Sequence, residues 1–265
     1  MYTIRLFGKI VKYKFLAEIE YPGAYIAGII AQWISYGIQL VMIFLMVWSF
    51  GSLAGWSPEE VIFLYAILLL TYAMGATFVF NICINMDKLV INGTLDESFT
   101  RPMPPFLFLI ATNVNIAYIS HITLTITALI FSIHRLGITW SILQWLWLVI
   151  ILISGAVITG CLMLITCFPA LRTRSRSPFM AFFWESSEFN RFPISIYPEF
   201  LQVFFTTLIP LGFVNYYPVQ VLLNKQEGLG NPVTMWLSPF VAVLLICITA
   251  LIWQNISKKY ESAGT

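Results

Sequence analysis

The chain has 265 residues, of which 59% are hydrophobic and 16% aromatic, and only 10% are charged; a soluble globular domain carries about 25% charged residues. That balance excludes an ordinary soluble enzyme, which needs charge to cover its surface, and a disordered chain, which is poor in apolar residues. At about 20 apolar residues per crossing, the length holds roughly six membrane spans with short loops and leaves no room for a soluble catalytic domain. The net charge of +2 says less than where the charges fall.

In chain order, residues 1–22 alternate Arg5, Lys9, Lys12 and Lys14 with apolar residues, a pattern that predicts an amphipathic helix lying on an anionic membrane surface. No short apolar core with a small-residue cleavage site follows, so no cleaved signal peptide is expected. Spans are predicted over 24–50, 60–86, 106–133 and 140–168. Between the second and third lies the polar segment 87–105, DKLVINGTLDESFTRPMPP. After a basic stretch at 169–177 the pattern becomes ambiguous: 177–184 is apolar but short, 185–193 is polar, and 199–223 is apolar but interrupted by Pro210 and Pro218. A final span is predicted over 234–256. The domain expectation is an amphipathic helix, 1–22, followed by one transmembrane domain, 23–265.

The charges orient these spans. With the N-terminus in the cytoplasm, the inside segments hold Arg5, Lys9, Lys12, Lys14, Lys88, Arg101, Arg172, Arg174, Arg176, Lys258 and Lys259, eleven of the fourteen Lys and Arg residues. The outside loops hold Arg135 and Lys225, and Arg191 is ambiguous. This is a strong positive-inside bias. Both termini are expected in the cytoplasm, so residues 178–233 must cross an odd number of times. Either 199–223 is the crossing, or 177–193 crosses and 199–223 dips into the outer leaflet and returns, bent near Pro210. Hydropathy alone leaves both open. Irregular backbone at membrane depth is tolerated only where protein or a wet cavity covers it.

Several residues stand out from this background. Gly93 interrupts a helical pattern, and Leu95, Asp96, Phe99 and Arg101 fit a short helix ended by Pro102. Asp96 and Glu97 suit the positive end of its dipole, and Leu95 and Phe99, four apart, are expected on one face. Glu185, Glu188 and Arg191 recur every three residues; charges at membrane depth are costly and often functional, whereas a pair at a helix end is only a modest tie. His121, among Ser120, Thr123, Thr125 and Thr127 and after Asn113 and Asn115, makes a polar stripe that faces either a partner helix or a wet cavity. Gly155 and Gly160 allow close helix approach. Trp140, Trp145, Trp147 and Trp236 read as interface anchors. Cys83, Cys161, Cys167 and Cys247 form no CxxC pair and are expected as buried thiols. No catalytic residue and no metal site is expected.

Residues 91–102, INGTLDESFTRP, resemble the stretch between the second and third spans of bacterial ABC-2 type permeases. Residues 189–218, FNRFPISIYPEFLQVFFTTLIPLGFVNYYP, resemble the late segment of the same family, with its prolines at Pro193, Pro198, Pro210 and Pro218. Phe99 stands where an aliphatic residue is usual and Phe192 where Tyr is usual. The resemblance extends over most of the chain and points to permeases encoded apart from their ATPase. It implies an all-α integral membrane protein with six transmembrane helices, a re-entrant or extracytoplasmic segment at 194–233, and a coupling loop at 87–105. It also implies an export permease in the cell membrane. Two permease chains, identical or homologous, would pair around a pathway and be driven by two ABC ATPase subunits. Gly93, Leu95, Asp96, Phe99, Arg101 and Pro102 become candidates for coupling to the ATPase, and Asn113, Asn115, His121, Glu185, Glu188 and Arg191 candidates for lining the pathway. No G-x-x-x-x-G-K-[S/T] phosphate loop occurs, so no cofactor is expected on this chain; ATP and magnesium belong to the partner. Membrane lipid is the other expected partner, and nucleic acid is not expected. The competing readings are an ion-coupled secondary transporter and a non-transporting scaffold. The substrate, whether lipid, drug or peptide, is not legible.

Overall fold

A computed structural model describes residues 2–226, 228–229 and 231–260. Its regular elements are helices: α1 (Tyr2–Glu18), α2 (Pro22–Phe50), α3 (Pro58–Ile84), α4 (Met86–Ile91), α5 (Thr94–Thr100), α6 (Pro105–Asn113), α7 (Tyr118–Leu136), α8 (Ile142–Cys167), α9 (Ala170–Thr173), α10 (Pro178–Phe189), α11 (Glu199–Val203), α12 (Tyr216–Leu223) and α13 (Ser238–Lys258). Among the described residues, five helices are long and apolar enough to cross a membrane, beginning at Pro22, Pro58, Tyr118, Ile142 and Ser238. The protein is an all-α, multi-pass membrane protein.

Local chemistry starts two of these spans. Ser57 accepts from the Glu60 amide while the Glu60 carboxylate accepts from the Ser57 amide, and Ser141 and Gln144 repeat that reciprocal cap on α8. Each cap satisfies two of the amides that a helix start leaves unpaired. The centre of the bundle is α3, packed on α7 and α8. Backbone approach there is limited by glycine: a Cβ on Gly75 would lie 2.5 Å from the Ala156 carbonyl oxygen, and one on Gly155 would lie 2.9 Å from that of Val214. In hydrocarbon, where lipid tails are as apolar as leucine, such close packing is what holds helices together. α8 and α13 run side by side in the same direction, since Ser154 bonds Ser238 at 3.0 Å and the Phe168 and Trp253 rings adjoin at 5.9 Å.

The third predicted span, 106–133, is two helices rather than one. α6 ends at Asn113 and α7 begins at Tyr118. In the gap the Asn115 amide donates to the Thr77 carbonyl at 2.8 Å and its side chain to Asn81 at 3.1 Å. The hydrogen bonds that would have continued the helix go to α3 instead.

The ambiguous 178–233 region forms α10 and a hairpin. Ser177 donates to the Thr166 carbonyl near the end of α8. At the other end of α10, the Asn190 side chain donates to the Leu211 carbonyl and to Asn215, and Asn215 donates to the Leu64 carbonyl at 3.3 Å. The twelve residues of α10 rise about 18 Å, which is why it does not count as a span by length although 177–195 runs along the bundle. Glu199–Leu208 and Leu211–Leu223 then meet at a 78° bend. A π-helical turn at Phe204–Leu208 leads into it and Pro210 lies within it. The ends of the segment return to one another: a Cβ on Gly228 would lie 3.7 Å from that of Ser195. Lys225 pairs with Glu60 at 2.9 Å and donates to the Gly55 carbonyl, so both ends sit where α2 turns into α3.

Two expectations about individual residues change. Trp147 is buried and donates to the Pro218 carbonyl at 3.2 Å; its indole N–H is used inside the bundle, so it ties the hairpin down rather than anchoring at an interface. The four cysteines are free, but Cys247 is exposed on α13 rather than buried.

Candidate functional site

A concavity with a partly polar lining lies between α2, α3 and α10. Its cavity of about 260 Å³ is lined by Tyr36 and Gln39 of α2, Tyr65 and Tyr72 of α3, and Glu188 and Arg191. Tyr65 donates to the Gln39 side-chain oxygen at 3.0 Å, and Tyr72 shares a 3.0 Å bond with Tyr118. Glu188 and Arg191 pair directly, both partly exposed to the cavity side. Trp184 closes one wall, edge-on to Tyr72 and Phe80.

A second cavity, of about 370 Å³, continues along α2 through Gln32, Ser35 and Tyr36 to Asn115, Tyr118 and His121. Tyr36 borders both. The residues Gln32, Ser35, Tyr36 and Gln39 recur at i, i+3, i+4 and i+7 and so form one stripe on α2. This stripe is absent from the residues singled out by sequence, although the spacing was there to be counted. Ser120 bonds Gln32, and the Trp33 indole donates to the Ser120 carbonyl at 3.0 Å. His121 is clasped between the Tyr36 and Tyr118 rings at 4.3 and 4.8 Å. Neither of its ring nitrogens has a hydrogen-bond partner among the described residues.

The predicted pathway residues thus divide. His121, Asn115, Glu188 and Arg191 border the two cavities. Asn113 donates back to Leu109 on its own helix. Glu185 is exposed and outside both cavities, so the expected face of three charges reduces to the pair Glu188–Arg191. The hydroxyls of Thr123, Thr125 and Thr127 all donate to carbonyls of α7 itself, which removes them as free polar groups.

At the opposite end of the bundle, Gly93 adopts φ +69° and starts α5. Gly93 is the N-cap; Asp96 and Glu97 lie in the first turn, as expected, and Asp96 faces Tyr260. Burial first, and then that carboxylate, holds the Tyr260 phenol above its ordinary pKa. Phe99 stacks on Tyr260 at 6.0 Å and stays 42% exposed, whereas Leu95 is buried in the bundle core. The apolar face expected of both is therefore presented by Phe99 alone. Arg101 pairs with Glu97 and lies over the Phe108 ring at 5.8 Å, with Pro102 beyond the helix end. The four prolines of the late segment fall at turns or helix starts: Pro193 before a short turn, Pro198 before α11, Pro210 in the bend and Pro218 in the first turn of α12.

Among the described residues, no group of three or more His, Cys, Asp or Glu converges as metal ligands would. A family described as ABC-2 family transporter protein matches residues 33–264. The chain belongs to that family. No curated protein and no solved structure matches it. Membership in the ABC-2 family makes this a permease-type transport protein, and the match takes in the polar stripe of α2 from Ser35 onward, the α5 loop, the hairpin and α13. All of α1 and the first turns of α2 lie before it.

Proposed function

We propose that this ABC-2 chain is the membrane subunit of an exporter. Two chains enclose a pathway, and two separate ATPase subunits, which carry ATP and magnesium, drive it. The observation that carries this reading is the polar cleft of Tyr36, Gln39, Tyr65, Glu188 and Arg191. Polar and ionised side chains at membrane depth are costly unless they border a wet cavity or a partner. The cleft opens beside α2, whose apolar surface the rest of the chain scarcely covers, so a second chain set against α2 would complete the wall.

In this reading the α5 end faces the cytoplasm, which the distribution of Lys and Arg supports, and the hairpin re-enters from the opposite leaflet. Closure of the ATPases pushes on α5 through the exposed ring of Phe99. The push is carried to the C-terminal end of α13 by the Phe99–Tyr260 stack and to α6 by the Arg101–Phe108 contact. Gln39→Leu together with Arg191→Leu should lower export in reconstituted vesicles while leaving assembly and basal ATP hydrolysis intact. Unchanged export would remove the cleft from the pathway. Native mass spectrometry of the solubilised complex tests the stoichiometry; an active single chain without nucleotide-binding partners would overturn it.

A further inference from the structure

A neighbouring face of α2 borders a different kind of space, a cavity of about 510 Å³ shared with α3 and α7. Gly37, Val41 and Phe44 face Leu124 and Phe131 across it. At 100° per residue, Val41 lies about 200° round α2 from Gln39, so this groove and the polar stripe are on different faces. The wall offers almost nothing to a polar ligand. Thr127 is part of it, but its hydroxyl is used on the Leu124 carbonyl at 2.6 Å.

One charge borders the groove. Arg135 is exposed at the last turn of α7, its guanidinium 5.4 Å from the centre of the Phe131 ring. No carboxylate pairs with it among the described residues. Just beyond the Gly137 turn, Trp140 and Trp145 pack edge to face at 5.0 Å. Tryptophans of this kind sit at the headgroup level of a bilayer, which places Arg135 where lipid phosphates lie.

We propose that this groove holds one phospholipid, with an acyl chain between α2 and α7 and the phosphate on Arg135. A hydrocarbon chain fits walls that have no free hydrogen-bonding group, and an anionic head fits an unpaired guanidinium held on an aromatic shelf. An extended peptide segment fits poorly, because its buried amides would have no partners. The proposal needs the membrane protein but not the exporter reading, so failure of one leaves the other standing.

The test uses the complex as purified, with phosphatidylglycerol as the probe and native mass spectrometry counting lipids per chain after mild delipidation. Gly37 is open, with nothing within 4 Å of an added Cβ, so Gly37→Phe should fill the groove without disturbing the bundle. Arg135→Gln should weaken retention about ten-fold, as loss of one charge-assisted contact does, and Arg135→Lys should restore part of it. Gly37→Phe should abolish the retained lipid at unchanged thermal stability. If both variants keep the wild-type lipid count, or if Arg135→Gln alone lowers it, the groove is not the site. If Gly37→Phe instead dissociates the two chains, the groove is filled by a second copy and the lipid proposal is wrong.

Discussion

The helices α2 and α3 have similar lengths, 29 and 27 residues, and both are apolar enough to span, yet 6% of an 18-residue apolar stretch of α2 is buried against 78% of that of α3. What separates them is their neighbours rather than their apolarity. α3 meets α7 on one side and α8 on the other, with glycine and threonine at the closest approach. α2 touches the bundle along a narrow face and presents Ile30, Ile34, Ile38, Met42 and Leu45 outward. Hydropathy reports preference for hydrocarbon, and both lipid and protein interior satisfy that preference.

The contrast is broken most severely on the α3 side. Gly75→Leu places a Cβ 2.5 Å from the Ala156 carbonyl oxygen, so α3 and α8 must separate. The cost is expected to be about 3 kcal/mol or more, read as loss of folded protein in a detergent thermal-unfolding assay. A Gly75→Leu protein as stable as the wild type would mean that α3 is not clamped. Next in size is Asn215→Leu, which takes away one of the two acceptors of the Asn190 side-chain amide and removes two bonds to backbone carbonyls at the base of the hairpin. Leaving buried polar groups unpaired costs about 1–3 kcal/mol, and a cysteine placed at Ser195 should become more reactive to an impermeant thiol reagent added from the hairpin side. If instead that cysteine reacts only from the α5 side, the segment 199–223 spans and does not return.

Phe99→Ala should cost about 1 kcal/mol or more in ATPase association if the ring seats in a partner groove, with export falling further than hydrolysis in the same vesicles. Equal wild-type values for both would reduce α5 to a turn that braces Tyr260. The smallest effect is expected on α2. Met42→Ala should change the stability of the single chain by no more than about 0.5 kcal/mol, because its side chain is 65% exposed. A fall in the dimer fraction by sedimentation, with stability unchanged, would show that a second chain covers this helix.

Hydropathy made α2, α3, α8 and α13 legible in advance, and the family pattern the α5 loop; the bend at Pro210 was one of two readings of 199–223, and the break in 106–133 was not foreseen. Other features were not legible because they depend on who packs against whom. Trp147 lies near a span end in the sequence, yet its indole serves the Pro218 carbonyl. Leu95 and Phe99 share helical spacing, but Leu95 is buried in the core whereas Phe99, at the end of α5, stays half exposed against Tyr260. The glycine pair that decides α3–α8 packing was half legible: Gly155 stands out in its span, and Gly75 does not. The α2 stripe of Gln32, Ser35, Tyr36 and Gln39 was missed in a helix read as uniformly apolar, although its period was present.

The interruption at residues 114–117 bears on how a stroke would travel. α6 is a lever of nine residues, joined to α5 at one end and at the other to Asn115, which is pinned to α3 through Thr77 and Asn81. If α5 receives a load, as proposed above, the break at 114–117 would let α6 move about that tie instead of tilting the whole third span, with the α6 packing on α3 as the resistance it has to overcome.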